Sequence, residues 1–302
     1  MSVELRSSQG KQHQFILPEQ SELQTVMIDG AVQPIRLENR TLTFPVHPGK
    51  QTIKLSWRQP SSIKTLFVTP QVNLGLEHVN QRIHLQLGYD RWVLLVGGPT
   101  LGPAVLIWGV LLLMLLAAIV LGRLQRTPLN TFSWLLLGVG LTQASVVSLF
   151  IVVGWLLALD YRHKMPHNMP AQRFNIMQIG YVILTGLALF VLVLSVQRGL
   201  LGLPKMMVVG NHSTAYQMNW YQDRGLPDSA QAWVFSLSIM IYRLLMLAWA
   251  LWLALALVKW LKWAWICFTT HGIWQKSAAG KPKNQDARRS AEPAGEGAGE
   301  SR

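Results

Sequence analysis

Four long apolar runs constrain this chain more than anything else in it: Leu101–Leu121, Phe132–Leu159, Ile176–Val196 and Leu237–Val258. The hydrocarbon core of a bilayer is ~30 Å thick and takes roughly 20 apolar residues at the helical rise, and each run is long enough. In lipid the backbone polar groups must be satisfied within the segment, so the runs read as helices of a polytopic membrane protein. The predicted fold class is mixed. An N-terminal antiparallel β-sandwich-like domain over 1–92 precedes an all-α four-helix transmembrane bundle over 93–274 and a disordered tail over 275–302. The helices are expected at about 101–122, 132–159, 174–197 and 236–262.

The net charge of +13 raises nucleic acid as a partner. The Lys and Arg residues, however, fall in loops, at span ends and in the tail, where membrane topology and anionic head groups account for them. No interleaved aromatic and basic motif supports nucleic-acid binding. The single cysteine, Cys267, excludes an internal disulfide and a thiolate-rich zinc site. Met1–Gly10 has neither a basic segment nor an apolar one of signal-peptide type. The strand-like Val3–Leu5 at the very start suggests a start site inside a longer reading frame.

Up to Asp90 the chain alternates with period near two, in Leu42-Phe44-Val46, Ile53-Leu55-Trp57 and Ile83-Leu85-Leu87, each placing one apolar face inward. Turn residues punctuate it at Asp29-Gly30, Glu38-Asn39 and Pro48-Gly49. Trp57-Arg58 reads as a core indole beside a solvated guanidinium. His13, His47, His78 and His84 share no metal-ligand spacing, and no catalytic constellation is visible.

In the membrane part, Asp90-Arg91-Trp92 reads as an interfacial anchor, and Gly98 to Pro103 as an irregular lead-in to the first helix. Thr142, Gln143, Ser145 and Ser148 fall in the second run, and Gln178 and Thr185 in the third. They are expected to hydrogen-bond across helices, at roughly 0.6–2 kcal/mol each. No ionised group sits at the centre of a run, which argues against active transport. Arg243 lies about two turns into the fourth run, and a salt bridge to Asp223 or Asp228 is the expected way of holding it. Lys259 and Lys262 alternate with Trp260, Trp263 and Trp265 as an aromatic and basic belt at the opposite interface. The loop Asp160–Arg173 holds His163, Met165, His167 and Met169, a copper-like composition in which Pro166 and Pro170 break any shared helical face. No metal and no cofactor are expected. Residues 205–225 read as a β-hairpin-like loop, and its Asn211-His212-Ser213 as a chance sequon.

The runs GGPTLGPAVLIWG, RTPLNTFSWLLLGVGLTQ and YRLLMLAWALWLALALVKWLKWAW resemble the C-terminal membrane region of long, uncharacterised proteobacterial cell-envelope proteins of the inner membrane. LQTVMIDGAVQPIRL and PGKQTIKLSWR resemble their last β-domain. The resemblance covers most of the chain up to the tail. It implies architecture only, and that this chain is a fragment or short-start form of such a protein.

Four spans would put both chain ends on one side. The basic end (Lys259, Lys262, Lys276, Lys281, Lys283, Arg288, Arg289), with Arg162, Lys164 and Arg173, is then cytoplasmic, and Arg123, Arg126, Arg198, Lys205 and Arg224 face out. This makes the β-domain cytoplasmic, whereas the fragment reading makes it periplasmic. The leading function is a non-enzymatic anchor and interaction module of the bacterial inner membrane, with the bilayer and envelope proteins as partners. The alternative is a non-catalytic subunit of a transport or export assembly.

Overall fold

A computed structural model of the chain describes residues 1–60, 64–124, 127–143, 145–165, 170–270 and 272–275. Residues 166–169 of the His/Met loop, with His167 and Met169, and, apart from Gln275, the expected tail lie outside the described residues. The architecture is mixed: several antiparallel sheets and five helices, two of them long and apolar.

The first β-unit contains β1 (Ser2–Ser7), β2 (Lys11–Ile16), β3 (Glu22–Ile28), β4 (Ala31–Val32), β5 (Thr41–Val46) and β6 (Gly49–Arg58). One sheet has the order β1-β6-β3-β4, and β2 pairs with β5. Leu42, Phe44, Val46, Ile53 and Leu55 are all buried in one core with Phe15, Val26 and Ile28, as the two-residue period requires. Asp29 and Gly30 both have positive φ, as do Asn39 and Arg40, the backbone of tight two-residue hairpin turns.

The next strands leave this unit. They are β7 (Leu66–Val68), β8 (His78–Gln86) and β9 (Arg91–Gly97), followed by the short β10 (Ala104–Val105). Five helices follow: α1 (Ile107–Arg123), α2 (Thr131–Leu141), α3 (Val146–His163), α4 (Ala171–Leu201) and, after further strands, α5 (Ile239–Thr269). Between α4 and α5 lie β11 (Val208–Val209), β12 (Gln217–Gly225) and β13 (Trp233–Ser238).

The expected β-hairpin over 205–225 is corrected here. β11 pairs with β10 and β12 with β8, while β13 sits between β7 and β9. The two segments are each other's partners across the helices, because Met218 and Trp220 of β12 share a buried core with Leu87 and Val93. The boundary at residue 92 therefore falls inside a second β-unit built from both sides of α1–α4. Arg91 and Trp92 belong to β9: Trp92 packs edge-on against Tyr242 at 5.4 Å and donates its indole N–H to the Met206 sulfur.

The expected helix over 132–159 is also corrected, into α2 and α3. Ser145 caps α3 by accepting from the Ser148 N–H, and the Thr142 hydroxyl donates to the Val139 carbonyl. The Gln143 side-chain oxygen accepts the Lys205 N–H. The polar residues read as mid-span glue are thus the ends of two helices that reverse direction.

α1 runs away from the β-units, and Gly122 near its end meets Thr131 at the start of α2. α2 returns toward Lys205, and α3 departs again until Arg162 reaches Thr270 beyond α5. α4 comes back, with Gly199 against Met246. α5 leaves from β13, its Ile239 N–H bonded to the Asp90 carbonyl. Its 31 residues extend about 46 Å. The β-units and the segment of Thr270 and residues 272–275 therefore occupy opposite ends of the helical unit, where an even number of helices would put them at one end.

Candidate functional site

The helical core gathers Trp134, Leu137, Trp155, Leu156, Leu192, Trp249, Leu253 and Trp260. Its indoles carry the polar links. Trp155 Nε1 donates to Thr185 Oγ1 at 3.0 Å, and Trp249 Nε1 to the Leu136 carbonyl at 2.8 Å. Gly140 lies flat against Trp249, leaving no room for a Cβ.

The most unusual group stands at the tail-side end. Arg162, in the last turn of α3, is only 1% exposed. Its Nε donates to Gln178 Oε1 at 3.1 Å, its Nη2 donates to the Thr270 carbonyl at 2.8 Å, and its guanidinium lies 4.7 Å from the centre of the Phe174 ring. Its Nη1 is buried with no hydrogen-bond partner among the described residues. The nearby carboxylate of Asp160 pairs instead with Lys164 at 2.8 Å. A buried cation is normally matched by an anion, and this one is held by neutral acceptors and a ring face.

The same end carries a strap. Gln178 Nε2 donates to the carbonyls of Phe268 and Ile273. Asn175 exchanges two hydrogen bonds with the backbone of Gln275. Side chains of α3 and α4 thus hold Thr270, Ile273 and Gln275 against the helix ends. Gln178 and Thr185 were legible as helix-joining residues, whereas Arg162 was read as one of several loop cations.

Arg243 is exposed near the start of α5 and makes no ion pair among the described residues. Asp228 accepts from Asn73 Nδ2 at 2.7 Å, and Asp223 is exposed on β12. The expected Arg243 salt bridge is corrected accordingly: Asp223 lies on β12, which pairs with β8, and Asp228 bridges Asn73. Trp260, Trp263 and Trp265 divide by face. Trp260 is buried and edge-on to Trp252, Trp263 is half-buried against the same core, and Trp265 is 63% exposed and stacked on Phe268. Trp260 therefore belongs to the core, not to an interfacial belt.

Among the described residues, no three of His, Cys, Asp and Glu come together in a way that would hold a metal. Two open grooves, about 490 and 380 Å3, lie between the β-units. The larger is lined by Trp57, Lys64, Leu66 and Phe67 among others, with no acid–base pair. Beside the second unit, burial raises the Tyr216 hydroxyl above its ordinary pKa and Tyr89, 4.5 Å away ring to ring, adds to the effect. That hydroxyl stays neutral and does not serve as a base near neutral pH. No protein-family model, curated protein or solved structure matches the chain.

Proposed function

We propose that this chain is a non-enzymatic anchor of the bacterial inner membrane, multi-pass through its helices, with the sandwich-like β-units as a docking module on one side. The observation that carries the reading is what covers α4 and α5. Only 28% of the most apolar stretch of α4 and 22% of that of α5 are buried by the rest of the chain. A core helix of a soluble protein would be mostly buried, whereas here Ile179, Ile183, Phe190, Leu244, Leu251 and Leu255 are exposed. Lipid is the solvent that accepts such a surface.

The helix directions support a definite orientation. Arg123 ends α1 on the tail side, joining Arg162, Lys164, Arg173, Lys259 and Lys262, against Arg198, Lys205 and Arg243 at the end beside the β-units, so the cations are in excess away from the β-units. By the positive-inside rule that end is cytoplasmic, and the β-units face the periplasm. The alternative, a non-catalytic transport subunit, needs a polar path. The inward polar groups of α3 and α4 that would line it are engaged in the Trp155–Thr185 and Arg162–Gln178 bonds.

The test is a pair of reporter fusions. Alkaline phosphatase should be active when fused ahead of Met1 and delivered with a leader, and inactive after Arg302, with a cytoplasm-dependent fluorescent protein giving the converse. Release of the protein by alkaline carbonate, or both ends reporting the same side, would overturn the reading. Solute flux in reconstituted vesicles would favour the transport alternative.

A further inference from the structure

The exposed face of α5 changes character along its length. Leu244, Leu251 and Leu255 are followed on the same stripe by Lys259, Lys262 and Ile266, spaced seven residues at the first interval and three or four thereafter so that they stand in one row. Lys259 and Lys262 are both exposed, and neither carries an ion pair or hydrogen bond among the described residues. At one helical turn apart their ammonium groups can converge on a single anion, since residues at this spacing have Cβ atoms roughly 5–6 Å apart. Trp265 flanks the row, with its indole at the level next beyond the lysines.

Among the described residues no carboxylate pairs with either lysine. Asp160 is the lone acidic residue between Asp90 and Asp223, and it is already bound to Lys164. The order along the helix is thus an apolar wall, two unpaired cations, then an exposed indole. A phospholipid has the same order: acyl chain, phosphate, headgroup interface. A freely diffusing phosphate would use the cations but not the leucine row, so the lipid is the occupant that matches the whole stripe.

We infer that the Leu255–Ile266 face of α5 binds an anionic phospholipid, its phosphate held between Lys259 and Lys262. This rests on the membrane reading above and names the lipid class that reading leaves open. The experiment uses the full chain reconstituted in discs of phosphatidylcholine mixed with phosphatidylglycerol, and reads by mass spectrometry which lipids stay with the protein as detergent is titrated in. The wild-type chain should retain phosphatidylglycerol well above its share of the bulk. K259Q/K262Q should lose roughly tenfold of that enrichment while keeping its helix content and melting point, two lysines near an anionic surface being the interaction removed. R243Q, at the opposite end, should keep it. Equal enrichment in wild type and the double variant, or none in either, would overturn the site. Incorporation into pure phosphatidylcholine, resistant to alkaline wash, is measured in parallel: its failure would sink the membrane reading itself, and its success with no anionic preference would sink only the lysine site.

Discussion

Arg162 joins three helices, linking α3 to α4 through Gln178 and to the end of α5 through Thr270. Arg162→Ala should therefore cost about 2–3 kcal/mol, the range for hydrogen bonds to a charged group whose partners are left buried. Denaturation in detergent would measure it. A double-mutant cycle with Gln178→Ala should give a coupling energy on the order of 1 kcal/mol, and strict additivity would count against a shared network. Arg243 makes the opposite case. Exposed and unpaired, it should tolerate Arg243→Leu within about 0.5 kcal/mol, and a large loss of stability would mean that it has a partner after all. The contrast shows what sequence could and could not reveal. An arginine inside an apolar run draws attention, while one at a run's end, in Asp160-Tyr161-Arg162-His163-Lys164, looks like a solvated loop cation. Nothing local distinguishes it; its burial comes from Phe174, Gln178 and Thr270, each supplied by a neighbouring element.

Among the elements, those whose signal is local were legible and those whose signal is a partner were not. Strands β5 and β6 follow directly from alternation, and their turns from Asp29-Gly30 and Asn39. The division of the second apolar run does not, because the short polar stretch Thr142–Ser145 is flanked by long apolar segments on both sides, and no proline marks the break. The residues that end α2 and start α3 are polar, and polar residues inside a span also fit helix pairing. Two substitutions test the arrangement. Ser145→Ala removes the cap of α3 and should cost about 1 kcal/mol. Gly140→Val drives a side chain into the Trp249 ring and should cost about 1–3 kcal/mol by overpacking. Combining it with Trp249→Ala should cost less than the two singles added, as thermal melting of the four proteins would show. A Gly140→Val chain as stable as the wild type would contradict the close approach of α2 and α5.

For the whole molecule, the strap ties the last described residues to the helix ends. A chain ending at Gln275 keeps the bonds of Arg162, Gln178 and Asn175, whereas one ending at Thr269 loses Thr270, Ile273 and Gln275 as partners. The first should match the full-length melting point and the second should fall below it. Equal behaviour of the two would show that the strap contributes nothing. The opposite placement of β-units and strap was beyond the sequence because it depends on the parity of helix reversals, and one unseen break inverts it. The second β-unit carries a different consequence, one of timing. β8 finds its partner β12 some 135 residues downstream, as the His84–Asn219 bond records. During synthesis the first β-unit has every strand it needs once residue 58 has emerged, together with Val72 and Leu74 soon after. The second unit stays open until four helices have been made, and its unpaired strands wait as exposed edges. Its closure is therefore a late step that reports the helices are in place, and a packing defect in α1–α4 should leave the first unit folded while the 78–97 segment becomes open to protease.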